Sequence, residues 1–249
     1  MNKLKFGKGN AKLDKRIATF SLPAGKTCPG AVDCKSMAIK LGNKVTIKDG
    51  PKTKFRCFAA SQEIIYANTF ESRAHNLALL KECGRSVKKM VELIDSSLPR
   101  NDYMRAHVSG DFYSQTYFDA WMAVAVANPT TLFYAYTKSL HLWTMRLGTV
   151  PSNFVLTASV GGKHDRLIHT HKLRYARVVF SEQEATDLGL AIDHDDTLAM
   201  GNGPSFALLL HGVQPKDSEA AKALSELKKL GKGGYSAKVS KKTKLPVFN

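Results

Sequence analysis

The chain has 249 residues, 43% of them hydrophobic, which is enough for one α/β domain with a substantial core. No apolar run is long enough to span a bilayer, and the basic start of the chain leads into no apolar secretion segment. We therefore expect a cytoplasmic protein without a membrane partner. In that compartment thiols stay reduced, and grouped cysteines indicate metal binding or catalysis more often than disulfides.

The net charge of +16 is concentrated at the two ends of the chain. Residues 1–26 carry seven Lys and Arg against one acid, and residues 228–249 carry seven lysines and no acid. Such basic surfaces favour an anionic partner, and we predict nucleic acid, bound through the basic termini. A solubilising tail with generic surface charge is the alternative.

In chain order, residues 23–60 are predicted as loops and short strands around the cysteines, followed by a helical stretch over 69–98 that is broken near Cys83. From residue 103 onward, short apolar strands alternate with helical patterns. The strands are predicted at 104–109, 132–137, 154–159, 177–181 and 206–211. The helices are predicted at 115–127, 139–147, 182–188 and 218–230. The strand ends recur every 22 to 30 residues, a spacing typical of βα units with a parallel sheet.

This rhythm predicts an α/β fold that is βα-barrel-like, a partial TIM-type barrel of parallel strands with an irregular N-terminal cysteine-bearing region. We predict a single domain over 1–230, followed by a flexible basic tail over 231–249. Within the domain, 1–100 form the cysteine-bearing and helical part, 101–215 the βα repeats and 216–230 a C-terminal helix.

Polar and small residues follow every predicted strand. In parallel α/β folds, ligands gather where the strands end at their carboxyl side. Three of these residues are candidate catalytic groups, namely Asp111, Lys138 and Glu182. The candidate cofactor-binding residues are Ser109, Gly110, Thr137, Ser159, Gly161 and Gly162, where the glycine amides would let an anionic group approach closely. The alternative is that βα turns are polar in any protein and that Ser and Thr cap the helices.

All four cysteines lie in the first third of the chain, and Cys28 sits in a Pro- and Gly-rich segment. Three thiolates can hold a [4Fe–4S] cluster with one iron left open, whereas four would close a cluster or a zinc site. Because Cys83 lies inside a helical pattern, we predict Cys28, Cys34 and Cys57 as the metal ligands. The spacing fits neither a zinc knuckle nor a ferredoxin, so binding of no metal is the alternative.

Histidines and acids farther along the chain offer a competing Mg²⁺ site for phosphodiester hydrolysis. Its candidate ligands are His164, Asp165, His169, His171 and the acidic run at 193–196, and a nuclease would use Asp111, Asp165 and this run. The run precedes an Asn-Gly-Pro sequence, and we expect it to be a solvated turn.

Several segments resemble the bacteriophage gene-product-eighty-eight-like family. The resemblance covers roughly residues 17–215 and is carried by six strings of sequence. These are Thr19-Phe20-Ser21-Leu22-Pro23-Ala24-Gly25, Thr27-Cys28-Pro29-Gly30-Ala31, Phe55-Arg56-Cys57-Phe58-Ala59-Ala60, His107-Val108-Ser109-Gly110-Asp111-Phe112, Phe133-Tyr134-Ala135-Tyr136-Thr137-Lys138-Ser139 and Leu156-Thr157-Ala158-Ser159-Val160-Gly161-Gly162. This resemblance implies ancestry rather than an activity, with the host cytoplasm as the location if a phage encodes the chain.

The chain also resembles, more weakly, the radical S-adenosylmethionine enzymes, in which three cysteines on an early loop hold a [4Fe–4S] cluster beside a βα barrel. That resemblance implies S-adenosylmethionine as a further ligand, with Ser109-Gly110-Asp111 in place of the family's strand-end motif. The cysteine spacing here differs from the family's Cys-x3-Cys-x2-Cys loop.

Taken together, the sequence favours an iron–sulfur enzyme that acts on nucleic acid or nucleotides. The alternatives are a Mg²⁺-dependent nuclease and a non-catalytic DNA-binding protein with a structural zinc.

Overall fold

The computed structural model describes residues 2–9, 13–232 and 245. The strands are β1 (Gly7–Lys8), β2 (Ile17–Ser21), β3 (Ser36–Leu41), β4 (Lys44–Asp49), β5 (Tyr103–Ser109), β6 (Leu132–Thr137), β7 (Phe154–Ser159), β8 (Tyr175–Val179), β9 (Ala191–Ile192) and β10 (Phe206–Leu209). The helices are α1 (Phe58–Ile65), α2 (Ala67–Glu82), α3 (Val87–Ser97), α4 (Gln115–Ala127), α5 (Leu140–Thr144), α6 (Arg166–Thr170), α7 (Glu182–Asp187), α8 (Thr197–Met200) and α9 (Glu219–Lys229).

Eight strands form one sheet in the order β1-β2-β5-β6-β7-β8-β10-β9. Every neighbouring pair is parallel except β1 and β2, which are antiparallel. The predicted mixed α/β fold with parallel strands is therefore confirmed. Among the described strands, β1 and β9 are the two ends of this order, so a closed barrel is not formed.

The central strands are buried on both faces, which explains their continuous apolar character. On β6, Phe133 packs against Trp121 of α4, with ring centroids 6.3 Å apart. Its neighbour Tyr134 belongs to a second cluster with Ile17 and Phe206. Since successive side chains of a strand point to opposite faces, these two clusters form the cores on either side of the sheet.

Serine side chains cap the starts of the predicted helices α4 and α9. The Ser114 hydroxyl accepts a hydrogen bond from the Tyr117 amide at the start of α4, and Asn128 ends that helix before Pro129. The Ser218 hydroxyl does the same for α9. The predicted break near Cys83 is also present, because α2 ends there and α3 begins four residues later.

The irregular N-terminal region contains strand β2, which the sequence does not predict, and strands β3 and β4, which lie within the residues 23–60 predicted as loops and short strands. Strand β2 pairs in parallel with β5 and so joins the main sheet. Strands β3 and β4 form a separate antiparallel hairpin that packs against α1. Because β2 runs parallel to β5, the cysteine segment that follows it begins at the carboxyl edge of the sheet.

The predicted flexible tail at 231–249 lies outside the described residues, apart from 231, 232 and 245. The single-domain division stays a prediction. No helix in the described part of the chain is long and apolar enough to cross a membrane.

Candidate functional site

A cavity of about 250 Å³ opens at the carboxyl edge of the sheet. Its walls come from the ends of β5, β6, β7 and β10, from the segment after β2 and from the segment before α1. Parallel strands bring these chain segments together although they are far apart in the sequence. The cavity thus lies where the sequence predicts a binding site.

Three of the four cysteines line this cavity, namely Cys28, Cys34 and Cys57. Burial raises the pKa of the Cys28 thiol, and Asp111 and the other two thiols raise it further. Burial and the neighbouring Cys34 raise the pKa of Cys57 to about 11. The three thiols are therefore close enough to influence one another electrostatically.

The fourth cysteine lies elsewhere. Cys83 caps the end of α2, where its thiol donates to the Leu79 carbonyl at 3.5 Å. It packs against the large core cluster and does not line the cavity. The structure thus places three cysteines at the cavity and the fourth, Cys83, apart from them.

Thiolates are the ligands that hold iron–sulfur clusters and structural zinc ions in proteins. All four cysteines are free of disulfide bonds. Within the described residues, no three or more His, Cys, Asp or Glu side chains are arranged to hold one metal ion.

The cysteine segment between β2 and β3 is held by the ends of the main-sheet strands. The Leu22 amide donates to the Ser109 carbonyl at 2.9 Å, where β5 ends. The Val32 amide donates to the Gly161 carbonyl at 3.1 Å, beyond β7. These contacts hold the segment between Leu22 and Val32, which includes Cys28, at the carboxyl edge of the sheet.

Two glycines permit this close approach. A Cβ on Gly30 would lie only 2.3 Å from the Lys138 carbonyl oxygen. Gly110 has a φ of +83°, and a Cβ there would lie 2.6 Å from the Thr27 hydroxyl. Both positions therefore need glycine because the cysteine segment packs against the strand ends.

Asp111 links the end of β5 to the end of β6. Its carboxylate accepts hydrogen bonds from the Thr137 hydroxyl at 2.6 Å, the Lys138 amide at 2.8 Å and the Phe112 amide at 2.7 Å. Burial outweighs these bonds and raises the pKa of Asp111 to about 6. Thr137 is buried by this contact and does not line the cavity, whereas Asp111 does.

Lys138 makes the corresponding link from β6 to β7. Its ammonium donates to the Ser159 hydroxyl at 2.7 Å, the Ser159 carbonyl at 3.2 Å and the Val160 carbonyl at 2.6 Å. Lys138 and Ser159 line the cavity, so the structure brings them together with Asp111 and Ser109, as the sequence predicts.

Three other predicted residues are placed differently. The amides of Gly161 and Gly162 donate to the Asp165 carboxylate at 2.8 and 2.9 Å, so a protein carboxylate occupies the predicted anion site. Glu182 begins α7, where its side chain is 39% exposed and pairs with Lys232 at 2.5 Å. Glu182 does not line the cavity in the described part of the chain.

The acidic run at 193–196 is not a solvated turn, and this expectation was wrong. Asp193 and Asp196 are buried and line the cavity. Arg105 donates to Asp196 at 2.6 Å, and the hydroxyls of Tyr134 and Tyr136 donate to the same carboxylate at 3.0 and 3.2 Å. The signal that could have revealed this cluster is a charged Arg105 inside an apolar strand.

These contacts also bear on the competing Mg²⁺ site. Asp165 binds two glycine amides, and the carboxylates of Asp111 and Asp196 each accept three hydrogen bonds from protein donors. His169, in α6, is exposed and His171 ends that helix. The carboxylates of Asp111, Asp165 and Asp196, which the sequence predicts as Mg²⁺ ligands, thus accept hydrogen bonds from groups of the protein.

The comparisons with known proteins give one positive result. The family model described as Gene product 88 matches residues 2–227, which is most of the chain. No curated protein and no solved structure matches significantly, so the radical S-adenosylmethionine resemblance gains no support from them. The resemblance carried by the strand-end and cysteine motifs is confirmed, and the chain belongs to the Gene product 88 family.

Proposed function

We propose that this protein is an iron–sulfur protein in which Cys28, Cys34 and Cys57 bind a [4Fe–4S] cluster. The observation that supports the proposal most is that these three thiols line one cavity while Cys83 lies apart in a helix. The segment that carries Cys28 and Cys34 is fixed to the strand ends, and the Cys57 amide donates to the Ser36 hydroxyl, which supports a site that is formed before a cluster binds.

The cavity beside the three thiols is the proposed substrate site. A cluster bound by three thiolates leaves one iron able to take a ligand from outside the protein. The walls combine apolar side chains, among them Phe55 and Phe58, with the polar groups of Arg105 and Lys138. Such a mixture suits a small organic ligand with a few polar contacts, and S-adenosylmethionine or a nucleotide is of this class.

The anionic partner remains nucleic acid in this proposal, because the chain carries a net charge of +16. We propose that the protein is an enzyme that works in the host cytoplasm, where thiols stay reduced and can bind such a cluster. A partial βα barrel remains our interpretation of the mostly parallel eight-stranded sheet.

Single Cys→Ser substitutions test the cluster proposal. We expect Cys28→Ser, Cys34→Ser and Cys57→Ser each to lose most of the iron and sulfide of anaerobically purified protein, because each removes one ligand. Cys83→Ser is the matched control and keeps the wild-type content, since Cys83 does not line the cavity. Iron and acid-labile sulfide are measured per chain, with circular dichroism to verify folding.

Equal iron content in all four variants would contradict the assignment. Zinc in place of iron in the wild type, lost in the same three variants, would support the alternative of a structural zinc. Binding of nucleic acid without turnover would then agree with a non-catalytic protein.

A further inference from the structure

The hairpin of β3 and β4, residues 36–49, forms an arm that is separate from the main sheet. Its tip, at Gly42 and Asn43, is exposed, and Gly42 has no other atom within 4 Å of a Cβ built there. We call this hairpin the β3–β4 arm.

The two faces of the arm differ in chemistry. Residues that pair across the hairpin share a face, and the faces alternate along each strand. One face carries Ala38 and Ile47, and Ile47 packs against Ala59 and Ala60 of α1. The opposite face carries Met37, Ile39, Leu41, Lys44, Thr46 and Lys48.

The outer part of the arm is strongly basic. Lys40, Lys44 and Lys48 of the arm are exposed, as is Lys52 just beyond it, and none of the four pairs with a carboxylate among the described residues. Asp49 is the one acid between residues 36 and 54 and is bound by Arg56, with Nη2 2.5 Å from Oδ2. The lysines are therefore left without a local counter-charge.

The base of the arm is fixed to the cysteine segments. The Lys35 ammonium donates to the Cys28 carbonyl at 2.7 Å, just before β3 begins. The Cys57 amide donates to the Ser36 hydroxyl at 3.3 Å. A molecule bound along the arm would consequently lie beside the cavity that Cys28 and Cys57 line.

We propose that the β3–β4 arm docks the phosphate backbone of a nucleic acid and so places it beside the cavity. Exposed ammonium groups without carboxylate partners attract phosphates and release counterions. A two-stranded ribbon fits the major groove, which is about 12 Å wide, and residues four apart on a strand, such as Lys44 and Lys48, are separated by about 13 Å. Since lysine is a point charge, these contacts position the nucleic acid rather than read its sequence.

This inference rests on the proposed nucleic-acid partner, but it does not need the cluster. The experiment measures the affinity of the full chain for fluorescein-labelled duplex and single-stranded oligonucleotides at several salt concentrations. The variant is Lys44→Gln/Lys48→Gln. The control is Lys88→Gln/Lys89→Gln, which removes the same charge from exposed positions on α3.

We expect the arm variant to bind more weakly. We also expect the negative slope of log K against log salt to become shallower by about 2, one for each phosphate contact that is lost. We expect the α3 control to lose less affinity and to keep a slope near that of the wild type. Thermal unfolding checks that both variants fold.

Two results would overturn the inference. If the wild type binds oligonucleotides and the arm variant binds them as the control does, the arm is not the docking surface while the nucleic-acid partner stands. If no oligonucleotide binds, the nucleic-acid partner fails as well. Arm-dependent binding to phosphatidylserine vesicles in that case would assign the arm to an anionic lipid surface.

Discussion

The polar side chains that follow the strands hydrogen-bond mainly to one another. Asp111 joins β5 to β6, and Lys138 joins β6 to β7 through Ser159. The types and positions of these residues in the sequence therefore predict correctly that the site lies at the carboxyl edge of the sheet. The partners could not be predicted, because each bond crosses to a strand that lies 21 to 27 residues away.

Asp193 gives a prediction about pH at the scale of one residue. Burial, reinforced by Asp196, raises its pKa from 3.8 to about 6. The native state therefore holds a proton that the unfolded chain has lost between these values, so this group's contribution to stability falls as pH rises. Asp193→Asn removes the titrating carboxyl group. As pH rises from 3.8 to well above 6, we expect the free energy of unfolding of the variant to increase by about 3 kcal/mol relative to that of the wild type.

Urea unfolding of both proteins across that pH range measures this difference. The quantity to follow is the change in the difference with pH, since the lost hydrogen bonds of Asp193 to the amides of Asp195 and Ala199 add a constant offset. A difference in unfolding free energy that does not vary with pH would show that Asp193 titrates normally.

At the scale of elements, the cysteine segment and the strand ends form one packed unit. The five predicted main-sheet strands and the helices α4 and α9 could be identified from periodicity and capping residues. Strand β2 could not, because its place is set by pairing with β5, more than eighty residues away. The hairpin face exposed to solvent could not be assigned either, since it depends on packing against α1.

Gly30 gives a prediction for this unit. Gly30→Ala would bring a methyl group against the Lys138 carbonyl, so we expect the free energy of unfolding to fall by about 1–3 kcal/mol. The displaced cysteine segment should also bind less iron. Gly201→Ala is the control, because that residue has an extended backbone with φ of −95° and its nearest neighbour is 3.8 Å from a built Cβ.

Urea unfolding and iron analysis of the two glycine variants provide the measurement. The control should stay within about 0.5 kcal/mol of the wild type. Equal stability and equal iron content in both variants would mean that the cysteine segment does not depend on its contact with β6.

At the scale of the whole molecule, the fold of the sheet brings together cysteines that are widely spaced in the sequence. Cys28, Cys34 and Cys57 have no recognisable ligand spacing, yet they line one cavity because the segments after β2 and β4 fold over the same edge. The cavity also includes Arg105, Asp193 and Asp196, which the sequence did not associate with the cysteines. The pairing of strands that are far apart in the sequence, rather than any local sequence pattern, determines which residues meet in the cavity.

The proposed cluster is tested most directly by the metal content and visible spectrum of the wild-type protein purified without oxygen. We expect a brown protein with about four iron and four sulfide per chain. Its broad visible absorption should bleach on reduction with dithionite. A colourless protein that contains no iron after anaerobic preparation and reconstitution with iron and sulfide would show that the three cysteines do not bind a [4Fe–4S] cluster.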